Sequence, residues 1–124
     1  AIRPVPGDPW TICDGHTRGV YEGMRATPEQ CERWRNEDID DAMGVVARCI
    51  NAPLTAGQLG ALTDGVFNLG PQLVCGSTLQ RKANAGDLAG ACAELRRWIY
   101  AHGKVYTGLV RRRSDEQAIC EGRA

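Results

Sequence analysis

A chain of 124 residues with 15 basic and 15 acidic side chains is sized for one core and has no net field with which to gather a polyanion. Its apolar share of 43% is ordinary for a globular protein, and its apolar runs are only a few residues long, which excludes a membrane-spanning helix or a signal peptide inside this segment. Six cysteines, none in a CxxC pair, argue against a zinc site and for three disulfides made in an oxidising compartment, with fifteen connectivities open at this point.

Residues 1–26 hold Pro4, Pro6, Gly7, Pro9, Gly15, Gly19 and Gly23 around two β-prone stretches, Trp10–Cys13 and Gly19–Tyr21. With Asp14-Gly15 as the turn between them, this predicts a small, irregular β-hairpin region. From residue 27 the pattern is helical. Thr27-Pro28-Glu29-Gln30 is a capping box with proline at the first helical position, and Cys31, Trp34, Asp38, Ala42, Val45 and Cys49 recur at helical spacing until Asn51-Ala52-Pro53. A second box, Thr55-Ala56-Gly57-Gln58, opens a helix with Leu59, Leu62, Val66 and Leu69 on its apolar face, stopped by Gly70-Pro71. Ser77 starts a third helix that ends near Gly86. Asp87 caps a fourth, carrying Leu88, Cys92, Leu95 and Ile99 and ending near Gly103, and a last helix runs from about Thr107 to Cys120. The fold class is α+β, mainly α: one domain over residues 1–124, with a β-hairpin lobe at 1–26 on a helical lobe at 27–124 made of about five helices.

The chemistry-bearing string is Trp10-Thr11-Ile12-Cys13-Asp14-Gly15-His16-Thr17, a short strand and turn that bring a hydroxyl and an imidazole together. No serine or cysteine is placed to act as a nucleophile, and nothing gathers carboxylates or thiols around His16 and His102 for a metal. Thr11 to Thr17 resembles the TIxxGHT signature of phage-type lysozymes. The later motifs keep that family's order: Gly23-Met24 before the first long helix, Phe67-Asn68-Leu69-Gly70, Ser77-Thr78-Leu79 with Asn84-Ala85-Gly86-Asp87, Arg97-Trp98, and Gly108-Leu109-Val110-Arg111-Arg112-Arg113 with Glu116. The resemblance covers about residues 10–120 in register.

The resemblance implies a lysozyme-like fold, a substrate cleft between the hairpin lobe and the helices, and a monomer. The implied activity is an endolysin that hydrolyses the bond between N-acetylmuramic acid and N-acetylglucosamine in peptidoglycan, exported to the host periplasm or beyond to cause lysis, with no cofactor and no nucleic acid. Family members use a glutamate as general acid, then an aspartate or cysteine, then a threonine. Thr11 matches the threonine, which would hold the attacking water. The second position falls on Val5, or on Pro4 with one extra loop residue, and neither is a base. Asp8 is the carboxylate nearest before Thr11, in a turn-forming Gly7-Asp8-Pro9, and is a candidate to take that part. The glutamate is expected a few residues before Ala1, on an N-terminal helix outside this chain. The first residue is Ala rather than Met, so upstream residues, with any export signal, are expected to have been removed or omitted. Glu22 reads as a surface loop residue.

Of the three arginines, Arg112 is the candidate to position the acid, with Arg111 or Arg113 serving if the register shifts. His16, Thr17, Phe67, Asn68, Thr78 and Glu94 are the expected saccharide contacts, with His16 equally an anchor for the hairpin and Phe67, taken without the resemblance, read first as a core aromatic. Trp34 and Trp98 read as core. The expected disulfides join neighbouring elements: Cys13–Cys31, Cys49–Cys75 and Cys92–Cys120. The rival function is a lysozyme-derived peptidoglycan-binding domain that keeps the saccharide site without the catalysis, and the chain as written is expected to be inactive.

Overall fold

The proline and glycine spacing of the first 26 residues leaves little room for regular strands. In the structure, a computed structural model that describes residues 1–3, 6–13 and 15–124, the segment carries two isolated antiparallel bridges, Ile2↔Thr11 and Ile12↔His16. Thr11 and Ile2 exchange both backbone hydrogen bonds at 2.7 Å, and Ile12 and His16 exchange theirs at 2.9 and 3.0 Å. The expected pairing of Trp10–Cys13 with Gly19–Tyr21 is not formed. Cys13 and Gly15 both take positive φ (58° and 106°), so the chain doubles back at once and Ile12 meets His16 first. Asp14, predicted to shape that turn, lies outside the described residues.

Helix α1 spans Pro28–Cys49. Its box forms as expected: the Gln30 amide donates to Thr27 Oγ1 at 3.1 Å, and the Thr27 amide donates to Gln30 Oε1 at 2.9 Å. Helix α2, Ala56–Leu69, has the same reciprocal cap from Thr55 and Gln58 and ends at Gly70, whose φ of 99° only glycine adopts readily. A 3-10 turn at Pro71–Leu73 leads to α3, Thr78–Asn84, and α4, Leu88–Glu94, capped by the side chains of Ser77 and Asp87. Helix α5 is Thr107–Cys120.

The fourth helix is shorter than its apolar spacing predicts. It stops at Glu94, tightens into a 3-10 turn at Leu95–Arg97, and gives way to a two-stranded hairpin, β1 (Tyr100–Ala101) with β2 (Lys104–Val105). His102 and Gly103, both at positive φ (52° and 75°), form its two-residue turn. Gly103 thus closes a hairpin rather than a helix, and Ile99 belongs to the strand approach.

The chain divides into two compact units, Ala1–Asp41 and Ala42–Ala124, so the boundary falls inside α1 rather than at residue 26, where the composition changes. In the second unit Ala42, Val46, Ile50, Ala61, Leu62, Val66, Leu73, Val74, Leu79, Ala83, Ala91, Cys92, Leu95 and Cys120 form one buried cluster. Small residues let its helices close up. A Cβ on Gly57 would stand 2.9 Å from the Ile119 carbonyl, so this glycine sets how near α2 and α5 approach. All three expected disulfides are present, Cys13–Cys31, Cys49–Cys75 and Cys92–Cys120. Among the described residues, no helix is long and apolar enough to cross a membrane.

Candidate active site

Within the first unit, the bridged loop and α1 converge on His16. The imidazole is buried, stacks on Trp34 with ring centroids 4.7 Å apart, and its Nδ1–H donates to Asp38 Oδ2 at 2.7 Å. Arg18 donates to the other Asp38 oxygen at 2.8 Å and pairs with Asp41 at the same distance. One carboxylate therefore holds both the ring and the loop that carries it. Trp34, expected in the core, is the half-buried plate under this ring, and Asp38 is the residue that sequence reasoning left unassigned. Its signal was there: an aspartate on an apolar helical stripe needs a partner. Thr11 is fixed through its backbone by Ile2, and its hydroxyl donates to the Pro9 carbonyl at 3.2 Å, leaving oxygen lone pairs to accept a bond. Thr17 and Glu22 are exposed, and Asp8 is half-buried. Pro4 and Val5, on which the family's second catalytic position was expected to fall, lie outside the described residues.

In the second unit, α2 and α5 face each other with charges. Arg113 is the largest fully buried side chain. Its Nε and Nη2 donate to the two Glu116 oxygens at 2.6 and 2.9 Å, Nη2 also donates to Asn68 Oδ1 at 2.8 Å, and Nη1 reaches the Trp98 carbonyl at 3.5 Å. Arg112 instead forks onto Asp64, at 2.9 and 3.3 Å, and stays partly exposed. Of the arginines read from the sequence, Arg113 is thus the one tied to Asn68, one of the expected contacts, while Arg111 is exposed.

The two carboxylates of this network diverge. Burial, with Asp64 beside it, pushes Glu116 up to about 8 against the opposing pull of Arg113. Burial works against ionisation of Asp64 too, but hydrogen bonds with Glu116 and Arg112 outweigh it and hold that group below its ordinary value. A neighbouring concavity of about 400 Å³ opens onto Asp64, Arg112 and Glu116.

A second concavity, of about 560 Å³, is framed by the loop after the 3-10 turn, the start of α3 and the end of α4. Thr78, Glu94 and Trp98 line it together with Gln72, Arg81 and Arg97. Thr78 is exposed and accepts from Arg81 Nη2 at 2.8 Å. Glu94 is buried beneath Lys82 (2.7 Å) and Arg97 (3.1 Å), and chiefly the Lys82 bond keeps its carboxylate below the usual range. Trp98, expected in the core, packs on it with one side and faces this concavity with the other. Phe67 is half-buried against the core, and Asn68 is exposed at the end of α2. The structure thus gathers Thr78, Glu94 and Trp98 at one concavity and Asn68, Arg113 and Glu116 in one network.

Among the described residues, five helices, four of them with side-chain caps, a small antiparallel hairpin and three disulfides define a lysozyme-like α+β protein. The phage lysozyme family matches residues 2–116, nearly the whole length. A SAR-endolysin of Enterobacteria phage P21 is 38% identical over 112 residues, covering 90% of this chain and 68% of the relative. An endolysin of Acyrthosiphon pisum secondary endosymbiont phage 1 is 39% identical over 116 residues, covering 90% and 80%. The muramidase domain of SpmX from Asticaccaulis excentricus superposes with a TM-score of 0.82 at 29% identity, over 94% of this chain and 82% of that one. The active form of P1 phage endolysin Lyz shares the fold, with a TM-score of 0.84 at 22% identity over 95% and 73%. The chain belongs to the phage lysozyme family, and its kind of activity is that of a glycoside hydrolase, a muramidase of the endolysin type.

Proposed function

We propose that this chain carries the saccharide-holding and water-directing parts of an endolysin that hydrolyses the bond between N-acetylmuramic acid and N-acetylglucosamine, and that the proton-donating carboxyl is supplied from outside residues 1–124. The observation that carries the reading is the concavity lined by Thr78, Glu94 and Trp98. An exposed hydroxyl, a fixed carboxylate and an indole face suit a sugar, which offers hydroxyls at its edge and C–H groups on its ring.

Glycoside cleavage needs an acid for the leaving oxygen and a group that directs water. Thr11 suits the second task. Its proton is committed to Pro9, so its oxygen accepts from a water and turns that water's lone pair outward. Glu116 does not suit the first task, although burial raises it: both of its oxygens accept from Arg113 and its side chain is almost wholly buried. A general acid must come within about 3 Å of the leaving oxygen. Asp64, held ionised by Arg112, has no proton to give. Asn68, exposed and held through its Oδ1 by Arg113, keeps its amide N–H groups to steady an incoming carboxyl, and Arg112 serves as the outer charge. Host lysis from an oxidising compartment fits the three disulfides.

The test compares turbidity clearing of permeabilised cells by the 124-residue chain and by a form extended upstream to include a glutamate. Clearing by the extended form alone, abolished when that glutamate becomes glutamine, is the expected result. Comparable clearing by the shorter chain would put the acid within it. Binding without clearing by both would favour the peptidoglycan-binding reading, which the Val5 and Pro4 replacements motivate.

A further inference from the structure

The charged lining of the larger concavity is unbalanced in a chain that is neutral overall. Its charged residues are Arg81, Arg97 and Glu94. Glu94 is buried and already neutralised by Lys82 at 2.7 Å, so both arginines are in excess. Each arginine is also anchored by only part of its fork. Arg97 uses Nε on Glu94 Oε2 at 3.1 Å while its side chain stays 73% exposed, and Arg81 uses Nη2 on Thr78 Oγ1 at 2.8 Å. The remaining N–H groups of both have no acceptor among the described residues. Guanidinium groups oriented by one bond and left with paired donors are suited to a carboxylate, which they meet in two parallel bonds.

A glycan strand of peptidoglycan is uncharged along its sugar rings. Its anionic groups are the lactyl carboxylate of the muramoyl residue or, where a stem peptide is amide-linked there, the carboxylates of that peptide. We propose that Arg81 and Arg97 are specificity-determining residues that bind a carboxylate borne by the muramoyl residue seated in this concavity, and so select peptidoglycan over uncharged chitin-type strands. This rests on the saccharide reading of the concavity and adds to it the feature of the substrate that is read. Thr78, whose oxygen is occupied by Arg81, keeps its proton free to donate to the same ligand.

The experiment measures binding of three tetrasaccharides to the chain by calorimetry at low ionic strength. They are chitotetraose, the alternating strand with free lactyl groups, and the same strand bearing tripeptides. Wild type should prefer at least one charged strand by about tenfold, the size of one charge-assisted bond. Which strand is preferred identifies the source as lactyl group or stem peptide. Arg97→Ala and Arg81→Ala should bring the charged strand down to parity with chitotetraose, and Arg97→Lys should keep an intermediate preference. Added salt should erase the wild-type preference. Both arginines are held from the surface, so circular dichroism should be unaltered in the variants. Equal binding of all three strands by wild type, or a preference that survives both alanine changes, would overturn the proposal and leave the saccharide reading standing. If no strand binds, chitotetraose included, the saccharide reading falls with it.

Discussion

The two units solve the problem of stability differently. Ala42–Ala124 buries a cluster of fourteen apolar residues and can afford a fully buried arginine inside it. Among the described residues of Ala1–Asp41, Ile12 is the sole member of the buried hydrophobic set. It is held by the Cys13–Cys31 bond, the Trp34–His16–Asp38 stack, Arg3 lying 4.4 Å over the Trp10 ring, and the Ala1 nitrogen on the Met24 carbonyl at 2.8 Å. A short segment has too much surface for its volume to build a core, so cross-links and polar pairs take over. The difference shows where each unit is vulnerable: the larger to an unmatched buried charge, the smaller to loss of a tether.

The largest effect should come from Glu116→Leu. It leaves the buried Arg113 guanidinium without the two oxygens that accept from its Nε and Nη2, with only Asn68 and the Trp98 carbonyl remaining, a loss of about 3 kcal/mol that denaturant unfolding should register. Replacing both partners, Arg113→Met with Glu116→Leu, should recover much of it, and failure to recover would mean that the two groups do more than satisfy each other's hydrogen bonds.

Next is the double change Cys13→Ser, Cys31→Ser. Opening this 18-residue separation should cost about 3 kcal/mol in the chain-entropy picture. Hydrogen exchange should show lost protection in residues 1–41 while α2 and α5 stay protected. Uniform loss across both units would contradict their independence.

Thr11→Ala sharpens the contrast in another direction. In the extended enzyme it should cut turnover about a hundredfold, near 2.7 kcal/mol of barrier, with a melting temperature nearly unchanged. Wild-type clearing by the folded variant would move Thr11 from the chemistry to the structure.

The smallest effect is a pH dependence. Glu116 binds its proton more tightly when folded, so its contribution to stability is complete below its ordinary value of 4.5 and is lost as pH rises through about 8. Asp64 and Glu94 work in the opposite sense, contributing above their ordinary values and losing that contribution as pH falls through their lowered ones. The melting temperature should therefore decline between about pH 5 and 8, and Glu116→Gln should flatten that decline. An unchanged slope in the variant would assign it to other groups.

Much of this molecule is written in local chemistry. Four of the five helix starts were legible because a cap is a contact between residues three apart: Thr27 with Gln30, Thr55 with Gln58, Ser77 with Gln80, Asp87 with Gly90. The motif order carried the family, and with it Thr11, His16, Asn68 and Thr78 as places to look. What the spacing misjudged lay where two signals competed. Ile99 continues a helical stripe, yet His102-Gly103 reverses the chain, and the turn prevailed because two positive φ angles cannot be accommodated in a helix. Tertiary structure alone decided the partners at a distance: Asp38 for His16, Asp64 for Arg112, Glu116 and Asn68 for Arg113. Three adjacent arginines are chemically alike in sequence. Which of them is buried depends on the angle at which α5 meets α2, and that angle is fixed by packing around Gly57 and the core, not by any residue within reach of the arginines along the chain.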